Sequence, residues 1–197
     1  MTDIKLENSN DSSLDILADS TDHALQVGKQ KLEAFIGHKI KMSVPKITIP
    51  TYLDESLNFE IGDFDRDGAK LSFEGNHRGG AFILFDSGNI SDLISSVTGE
   101  DKTSPDFKEI HDDFLKEMGN IVLNGCVGTL SNNLVDKLVY TVPEICSGKI
   151  EDFIMKGFHG KQEEVCFIGI GLFNIESLSI SGSITFSFYF DSIDEIA

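Results

Sequence analysis

The sequence contains an internal repeat, because one set of spaced residues occurs twice, 98 positions apart. In each copy three residues separate the first two members, two separate the next pair, and 22 precede a proline. The second copy comprises Asp113, Glu117, Asn120 and Pro143. The first copy comprises Asp15, Asp19, Asp22 and Pro45. This repeat predicts a duplicated unit in which one polar site is retained and the other, which lacks the amide, is altered.

The segments that follow each copy also repeat. The first half contains HKIKMSVPKI from His38 and the second half contains DKLVYTVPEI from Asp136, with the proline in the same place. Each half then ends an apolar stretch with Phe-Asp-Ser, at residues 85–87 and 190–192. The order of segments is therefore the same in both halves.

Hydrophobic periodicity predicts two long helices and one short helix. The first long helix extends from Leu14 to Ile36, and Gly37 is a suitable stop. The second begins near Ser104 and runs to about Val135. The short helix extends from Ile90 to Val97 and ends at Gly99.

Alternating or continuously apolar segments, rich in β-branched and aromatic residues, predict strands. The continuous apolar character of one segment, Gly80 to Phe85, predicts burial on both faces of the sheet. The other predicted strands are His38 to Pro50, Leu57 to Ile61, Ala69 to Phe73, Leu138 to Ile145, Ile150 to Phe158, Val165 to Ile175 and Leu178 to Phe190.

These elements predict an α+β fold in which two interlocked halves are related by a pseudo-twofold axis and the two long helices cover an antiparallel sheet. The halves span about 14–99 and 104–192. The stretch between them is too short and too poor in Gly and Pro for a flexible linker, so we expect one domain over residues 1–197. Disorder is expected at residues 1–13.

Charge and composition exclude some classes of partner. The chain carries 33 acidic against 16 basic residues, a formal net charge of −17, which repels the phosphate backbone of nucleic acids. There is no apolar run of membrane-spanning length and no signal peptide, so a cytoplasmic protein is expected. The three cysteines, at positions 126, 146 and 166, have no metal-binding spacing and are expected to be reduced and buried.

The second long helix has a polar stripe opposite its apolar face. At 100° per residue the polar side chains share one side, and these are Asp113, Glu117, Asn120 and Asn124. The apolar face comprises Phe114, Leu115, Met118, Ile121 and Val122. A polar stripe of this kind is by default an ordinary solvated helix face, but its spacing is that of the repeat.

The spacing D-x3-E-x2-N-x22-P resembles the signature of the CheC/CheX/FliY family of chemotaxis phosphatases, and the chain is most similar to CheC. LKEMGNIVLNG and the Val-Pro strand are also similar to that family. The resemblance covers nearly the whole chain, since CheC proteins carry two such motifs in two pseudo-symmetric halves. It implies the CheC-like fold.

The resemblance also implies an activity, which is hydrolysis of the aspartyl phosphate of a CheY-like response regulator. It assigns to Asn120 the orientation of the attacking water and to Glu117 the contact with the regulator's lysine. Asp113 would support the helix face or the docking charge, Asn124 would support the site, and Pro143 would be structural. No cofactor is expected in this chain, because the Mg²⁺ would belong to the regulator.

The first copy departs from the family signature. Asp19 and Asp22 stand where the family has Glu and Asn, so Asp22 cannot donate an amide hydrogen bond and its charge would repel a phosphoryl group. We expect little or no hydrolysis at this site. The altered copy leaves open a second interpretation, a non-catalytic CheC-like adaptor that binds a response regulator or a CheD-like deamidase.

A third pattern has the spacing of a calcium loop. Asp63, Asp65, Asp67, Gly68 and Glu74 match D-x-D-x-D-G-x5-E. The flanking segments are predicted strands rather than the helices of an EF-hand, so calcium is a weak candidate. The alternative is a hairpin whose Asp-Gly residues form the turn.

Overall fold

A computed structural model describes residues 11–44, 66–86, 88–149, 152–153 and 165–191. These residues form three helices and seven strands of different lengths. The helices are α1 (Asp11–Ile36), α2 (Ile90–Thr98) and α3 (Phe107–Asn133). The strands are β1 (Lys41–Ser43), β2 (Arg66–Glu74), β3 (Arg78–Asp86), β4 (Val139–Tyr140), β5 (Glu144–Gly148), β6 (Val165–Ile175) and β7 (Ile180–Phe190).

The strands form one antiparallel sheet in the order β1-β6-β7-β3-β2-β4. Strand β5 also pairs with β2, along the same edge as β4 but at the other end of β2. The edge strand of each half lies against the other half. The first half's β1 pairs with β6, and the second half's β4 and β5 pair with β2. The predicted α+β fold with two interlocked halves is confirmed.

The pseudo-twofold axis passes through the middle of the sheet. The central strands β3 and β7 are counterparts, since Phe85 and Phe190 occupy the same place in the repeat. Ala81 pairs with Phe186, which is its own counterpart by the same offset. Gly28 of α1 and Cys126 of α3 are counterparts 98 positions apart, and a Cβ at residue 28 would lie 2.6 Å from the Cys126 Sγ. The helices therefore meet on the axis as well.

The two long helices run antiparallel across one face of the sheet. The Phe35 and Phe114 rings meet at 5.1 Å near one end of the pair, and His23 Nδ1 lies 3.0 Å from Asn133 Nδ2 near the other. The main core lies between the helices and this face, and Leu25 and Leu115 are fully buried in it. Burial of this apolar surface is the main force that holds the helices on the sheet.

The opposite face of the sheet is also buried. Phe82, Leu84 and Ile168 belong to a second apolar cluster there, and the Phe82 ring stacks on Phe153 at 5.8 Å. Ala81 and Ile83, on the same strand as Phe82, point into the main core. The prediction that Gly80 to Phe85 is buried on both faces is therefore confirmed.

Predicted and observed strands differ in three places. Asp67 and Gly68 were predicted as turn residues, but both lie inside β2, where Gly68 pairs with Leu84 and Cys146, because this strand is hydrogen-bonded on both sides. Of the strand predicted from Ile150 to Phe158, only Asp152 and Phe153 are described, and they are helical. Leu57 to Ile61, residues 1–10 and residues 45–50 of the strand predicted from His38 to Pro50 lie outside the described residues.

The third difference is a break. The strand predicted from Leu138 to Ile145 is two strands, β4 and β5, separated at Pro143. On β2 the pairing advances three residues from Lys70 to Phe73, whereas the partner advances four, from Tyr140 to Glu144. The extra residue is a β-bulge, and a proline suits it because no ladder donor is needed there.

The ends of the long helices use left-handed residues. Gly37, which follows α1, has φ of 72° and donates its N–H to Glu33 O at 3.0 Å. Its counterpart after α3 is Val135, with φ of 51°. The N–H groups of Val135 and Asp136 reach Asn132 O and Ser131 O, the pattern of a Schellman motif.

Candidate functional site

The polar stripe lies on the outer surface of α3. Asp113, Glu117 and Asn120 are exposed and Asn124 is half-buried. On the opposite side Leu115, Met118 and Val122 are fully buried, while Ile121 is half-buried. Residues three apart on a helix have Cβ atoms about 5–6 Å apart, so the carboxylate of residue 117 and the amide of residue 120 can contact one object at the same time.

The fourth member of the signature, Pro143, lies against this helix. A Cβ added at Gly119 would lie 2.7 Å from the Ala69 Cβ and 3.1 Å from the Pro143 Cβ. Pro143 is buried, and the glycine allows α3 to approach both β2 and the bulge. The proline therefore helps to set the distance between the sheet and the helix turn that carries Asn120, although its side chain has no polar group.

The bulge that carries Pro143 is held to β2 by a side chain. Thr141 N–H donates to Ser72 O at 3.0 Å, and Ser72 N–H donates to Thr141 Oγ1 at 3.1 Å. The hydroxyl replaces the ladder acceptor that the bulge removes. This substitution keeps the segment on the sheet edge while its path changes.

Asn124 continues the stripe by one turn. Its Oδ1 atom is buried and accepts no hydrogen bond from the described part of the chain. A buried acceptor without a donor is unfavourable by about 1–3 kcal/mol. This unpartnered atom lies one helical turn from Asn120.

The segment after α3 is anchored by the buried carboxylate of Asp136. This carboxylate accepts hydrogen bonds from Asn76 N–H at 3.1 Å and from His77 N–H at 2.9 Å, and it lies 2.9 Å from His77 Nδ1. Burial alone would raise the pKa of Asp136, but these hydrogen bonds outweigh burial and lower it. The β2–β3 turn is thereby tied to the end of the helix.

The first copy has a different surface and a different fit. Asp15, Asp19 and Asp22 are exposed on α1, and Pro45 lies outside the described residues. Thr21, the counterpart of Gly119, is fully buried, and a Cβ at Gly169 of β6 would collide with its methyl group. The close approach of helix and strand thus uses a glycine of the helix, Gly119, in the second copy and a glycine of the strand, Gly169, in the first.

Among the described residues, one ion pair involves a side chain of the α3 stripe. Lys116 Nζ lies 3.7 Å from the Asp113 carboxylate, and both side chains are mostly exposed, so this pair contributes little to stability. The stripe is otherwise acidic or neutral. It therefore suits a basic group presented by a partner better than it suits a free anion.

The calcium pattern does not form a common loop. Asp67 and Glu74 are the second and last residues of β2, and seven residues of strand rise about 23 Å, too far for two ligands of one ion. Asp63 and Asp65 lie outside the described residues. Within the described ranges, no three His, Cys, Asp or Glu side chains are grouped as a metal site requires.

Two cavities, of about 440 and 430 Å³, border the edge strands rather than the stripe. The larger is lined by Lys70, Phe82, Tyr140 and Tyr189 among others, and neither is lined by Glu117 or Asn120. A small-molecule site is normally concave. The α3 stripe is convex, which favours action on a partner that supplies the pocket.

Some large apolar residues that the sequence patterns did not single out are exposed to solvent in the structure. Val139, Tyr140 and Val142 lie on β4 and its bulge with large apolar side chains in solvent. A direct comparison of the two repeat copies could have found Val139, because the first copy has Lys41 in its place. The counterparts of Tyr140 and Val142 are Met42 and Val44, which are apolar too, so their exposure has no such signal in the sequence.

Solved chemotaxis structures are similar to this one. FliY from Thermotoga maritima has a TM-score of 0.63 at 14% identity, over 97% of this chain and 94% of that chain. CheX from Borrelia burgdorferi, solved in a complex with CheY, BeF3 and magnesium, has a TM-score of 0.53 at 15% identity, over 90% and 97%. The chain has the fold of FliY and CheX. The resemblance stated from the motif is thus confirmed for the fold, without singling out CheC.

The same fold occurs in the FliM middle domain from Vibrio alginolyticus, which has a TM-score of 0.55 at 11% identity, over 93% of this chain and 97% of that chain. Neither a protein-family model nor a curated protein matches the sequence. Within the described residues, no helix combines the length and apolarity needed to cross a membrane. The FliY and CheX fold is thus established by structure alone.

Proposed function

We propose that the chain is a chemotaxis-type phosphatase that hydrolyses the aspartyl phosphate of a CheY-like response regulator. Asn120 orients the attacking water and Glu117 engages the regulator's lysine. The observation that carries the proposal is that Glu117 and Asn120 are exposed about one turn apart on a convex helix surface. The contact of Gly119 with Pro143 sets the distance of this helix from the sheet. Because response regulators act in the cytoplasm, the proposal also places this chain there.

The chemistry needs little from the phosphatase. An acyl phosphate has a good leaving group, so water attacks phosphorus in line, the bond to the aspartyl oxygen breaks, and a free carboxylate and inorganic phosphate are released. Positioning and charge neutralisation dominate such reactions. An inserted amide can accept a hydrogen bond from the water and hold it on the line of attack, while the magnesium ion of the regulator stabilises charge on the phosphoryl oxygens.

The similarity to CheX supports the choice of partner. CheX from Borrelia burgdorferi forms a complex with CheY in the presence of BeF3 and magnesium. A protein with this fold therefore binds a CheY-type regulator. The proposal transfers that binding to the α3 stripe of this chain.

The first copy is proposed to be inactive. Asp22 occupies the place of Asn120 and carries a negative charge that would face the phosphoryl group. Asp19 is also shorter than Glu117 and reaches less far. The buried Thr21 in place of Gly119 shows that the difference extends below the surface.

The test is the rate of phosphate loss from a phosphorylated CheY-type regulator. Asn120→Ala should lower the catalysed rate by about 10² or more, the scale of losing one well-placed transition-state contact. Asn132→Ala is the matched control, because Asn132 is exposed on the same helix about 18 Å away along its axis. An unchanged rate in Asn120→Ala would refute the mechanism. Glu117→Ala, with the exposed Glu109→Ala as its control, tests the second role.

A second candidate function is that of a CheC-like adaptor, which binds a regulator or a CheD-like deamidase without hydrolysis. The altered first copy favours it, because this surface is retained without the amide. Binding of a regulator whose phosphate lifetime does not change would favour the adaptor. Stimulated hydrolysis would favour the phosphatase.

A further inference from the structure

Among the residues that the structure describes, the exposed large hydrophobic side chains are concentrated in one segment. In the described part of the chain, five large hydrophobic residues are exposed, and four of them lie between residues 135 and 142. We call these four the apolar strip: Val135, Val139, Tyr140 and Val142. Their exposed fractions are 89%, 76%, 42% and 77%. The fifth, Ile16, lies on α1.

The apolar strip runs from the end of α3 back to the proposed site. Leu138 N–H donates to Ser131 Oγ at 3.4 Å, near the C-terminus of the helix. Five residues later Pro143 packs on Gly119, the neighbour of Asn120. Val142 is one Cα step of about 3.8 Å from Pro143, the residue that packs on the helix turn carrying Asn120.

The first copy provides an internal comparison. The counterparts of the strip residues are Gly37, Lys41, Met42 and Val44. Lys41 is paired with Glu176 at 2.6 Å, and Met42 and Val44 are half-buried. The apolar strip therefore accompanies only the copy that keeps Glu117 and Asn120.

One strip residue is held in a strained conformation. Val135 has φ of 51°, a region that β-branched residues rarely adopt, while its counterpart Gly37 reaches φ of 72° without a side chain to clash. Folding alone would favour glycine at both positions. The stability of the isolated chain does not explain a valine that is 89% exposed and has a positive φ.

We propose that the apolar strip is the docking surface for the regulator, and that it packs on apolar surface beside the regulator's phosphorylated aspartate while α3 enters the pocket. This inference rests on the proposed function, because it assigns the partner of the same site. A globular domain of about 100 residues is roughly 30 Å across, which is wide enough to cover the strip and the stripe together.

The regulator fits this surface better than a second copy of the chain does. Each copy carries a formal charge of −17, so two copies repel each other. The strip also ends one residue before Pro143, which packs on Gly119 of the helix that carries the stripe, and a self-association surface does not require this. Apolar docking beside an acidic stripe instead matches a partner that offers a lysine next to an apolar patch, since interfaces combine an apolar core with a polar rim.

The experiment measures the affinity of CheY-type receiver domains from the source organism, loaded with Mg²⁺ and beryllofluoride, for the full chain. Val142→Ser and Val139→Lys should each raise Kd about tenfold, since each removes exposed apolar surface that the complex would bury. Val139→Lys installs the residue of the first copy. Ile16→Ser is the matched control, an exposed apolar residue outside the strip, and should change Kd less than twofold.

The outcomes separate the inference from the function on which it rests. If both strip variants bind like wild type, the inference is overturned. If the variants change the oligomeric state by sedimentation rather than the Kd, the strip is a self-association surface and the inference is again overturned. If the variants weaken binding but Asn120→Ala hydrolyses as fast as wild type, docking stands and the proposed chemistry fails. If no receiver domain binds wild type, both fail.

Discussion

The ring of Pro143 packs on the backbone of Gly119, and it does so from a bulge in the neighbouring edge strand. Any side chain at residue 119 would meet both this ring and Ala69. The contact explains why a proline 23 residues after Asn120 belongs to the signature: it sets the position of the helix turn that presents the amide. The motif therefore contains two exposed polar residues, Glu117 and Asn120, and a proline that supports the helix on which they lie.

Gly119→Ala is expected to destabilise the protein by about 1–3 kcal/mol, because the added methyl group forces α3 away from Ala69 and Pro143. The measurement is the free energy of unfolding in urea. Gly128→Ala is the matched control on the same helix, where nothing lies within 4 Å of a new Cβ, and it should stabilise by about 0.5–1 kcal/mol. Equal effects of the two substitutions would contradict the close contact.

Val135→Gly is expected to stabilise the protein by about 0.5–1 kcal/mol, because the left-handed conformation penalises a β-branched side chain more than glycine's extra chain entropy does. Gly37→Val at the counterpart position should destabilise. Thermal unfolding of the two variants checks both signs. A lower melting temperature for Val135→Gly would show that the valine makes a stabilising contact within the chain.

Asp136 should make stability fall in acid. Its pKa is lowered in the folded state, so the protein binds a proton there less readily than the unfolded chain does, whose Asp pKa is about 3.9. The contribution is therefore present above about pH 4 and is lost as pH falls through the folded pKa. Asp136→Asn should lower stability at pH 7 by about 1–3 kcal/mol and flatten the acid limb of the unfolding profile. An acid limb of the same steepness in Asp136→Asn would rule out this assignment.

Cys126 is expected to be unreactive in the folded protein. Burial raises the pKa of its thiol to about 12, and the nearby Lys31 only partly opposes this effect. Since the thiolate is the reactive form, alkylation at pH 8 should proceed only after unfolding. A variant with Cys146 and Cys166 replaced by Ala isolates the signal. Rapid labelling of this variant under native conditions, with an unchanged melting temperature, would contradict the prediction.

Much of the fold was predictable because its signals are local. The left-handed glycines Gly37 and Gly99 mark helix ends as expected, and the apolar run through Ile83 gives a strand buried on both faces. The stripe of α3 follows from helical periodicity alone. In the candidate site, the exposure of Glu117 and Asn120 agrees with that periodicity, whereas their roles remain predictions.

The rest depends on contacts between distant residues. No local signal shows that Asp67 and Gly68 lie within a strand, because distant residues set their conformation. Asp67, for example, pairs with Phe85 on one side and with Ser147 on the other. The bulge at Pro143 is likewise set by the fit of α3 against β2. The exposure of Val142 depends on what the tertiary structure leaves uncovered.

The exchange of edge strands between the halves also bears on how such a protein can originate and change. A single half would leave β2 without its outer neighbour and β3 without β7, so it would have to associate with a second copy to complete the same sheet. Such an ancestor would be a symmetric dimer with two identical sites. Joining the two copies in one chain removes that symmetry, so an aspartate at position 22 no longer entails an aspartate at position 120.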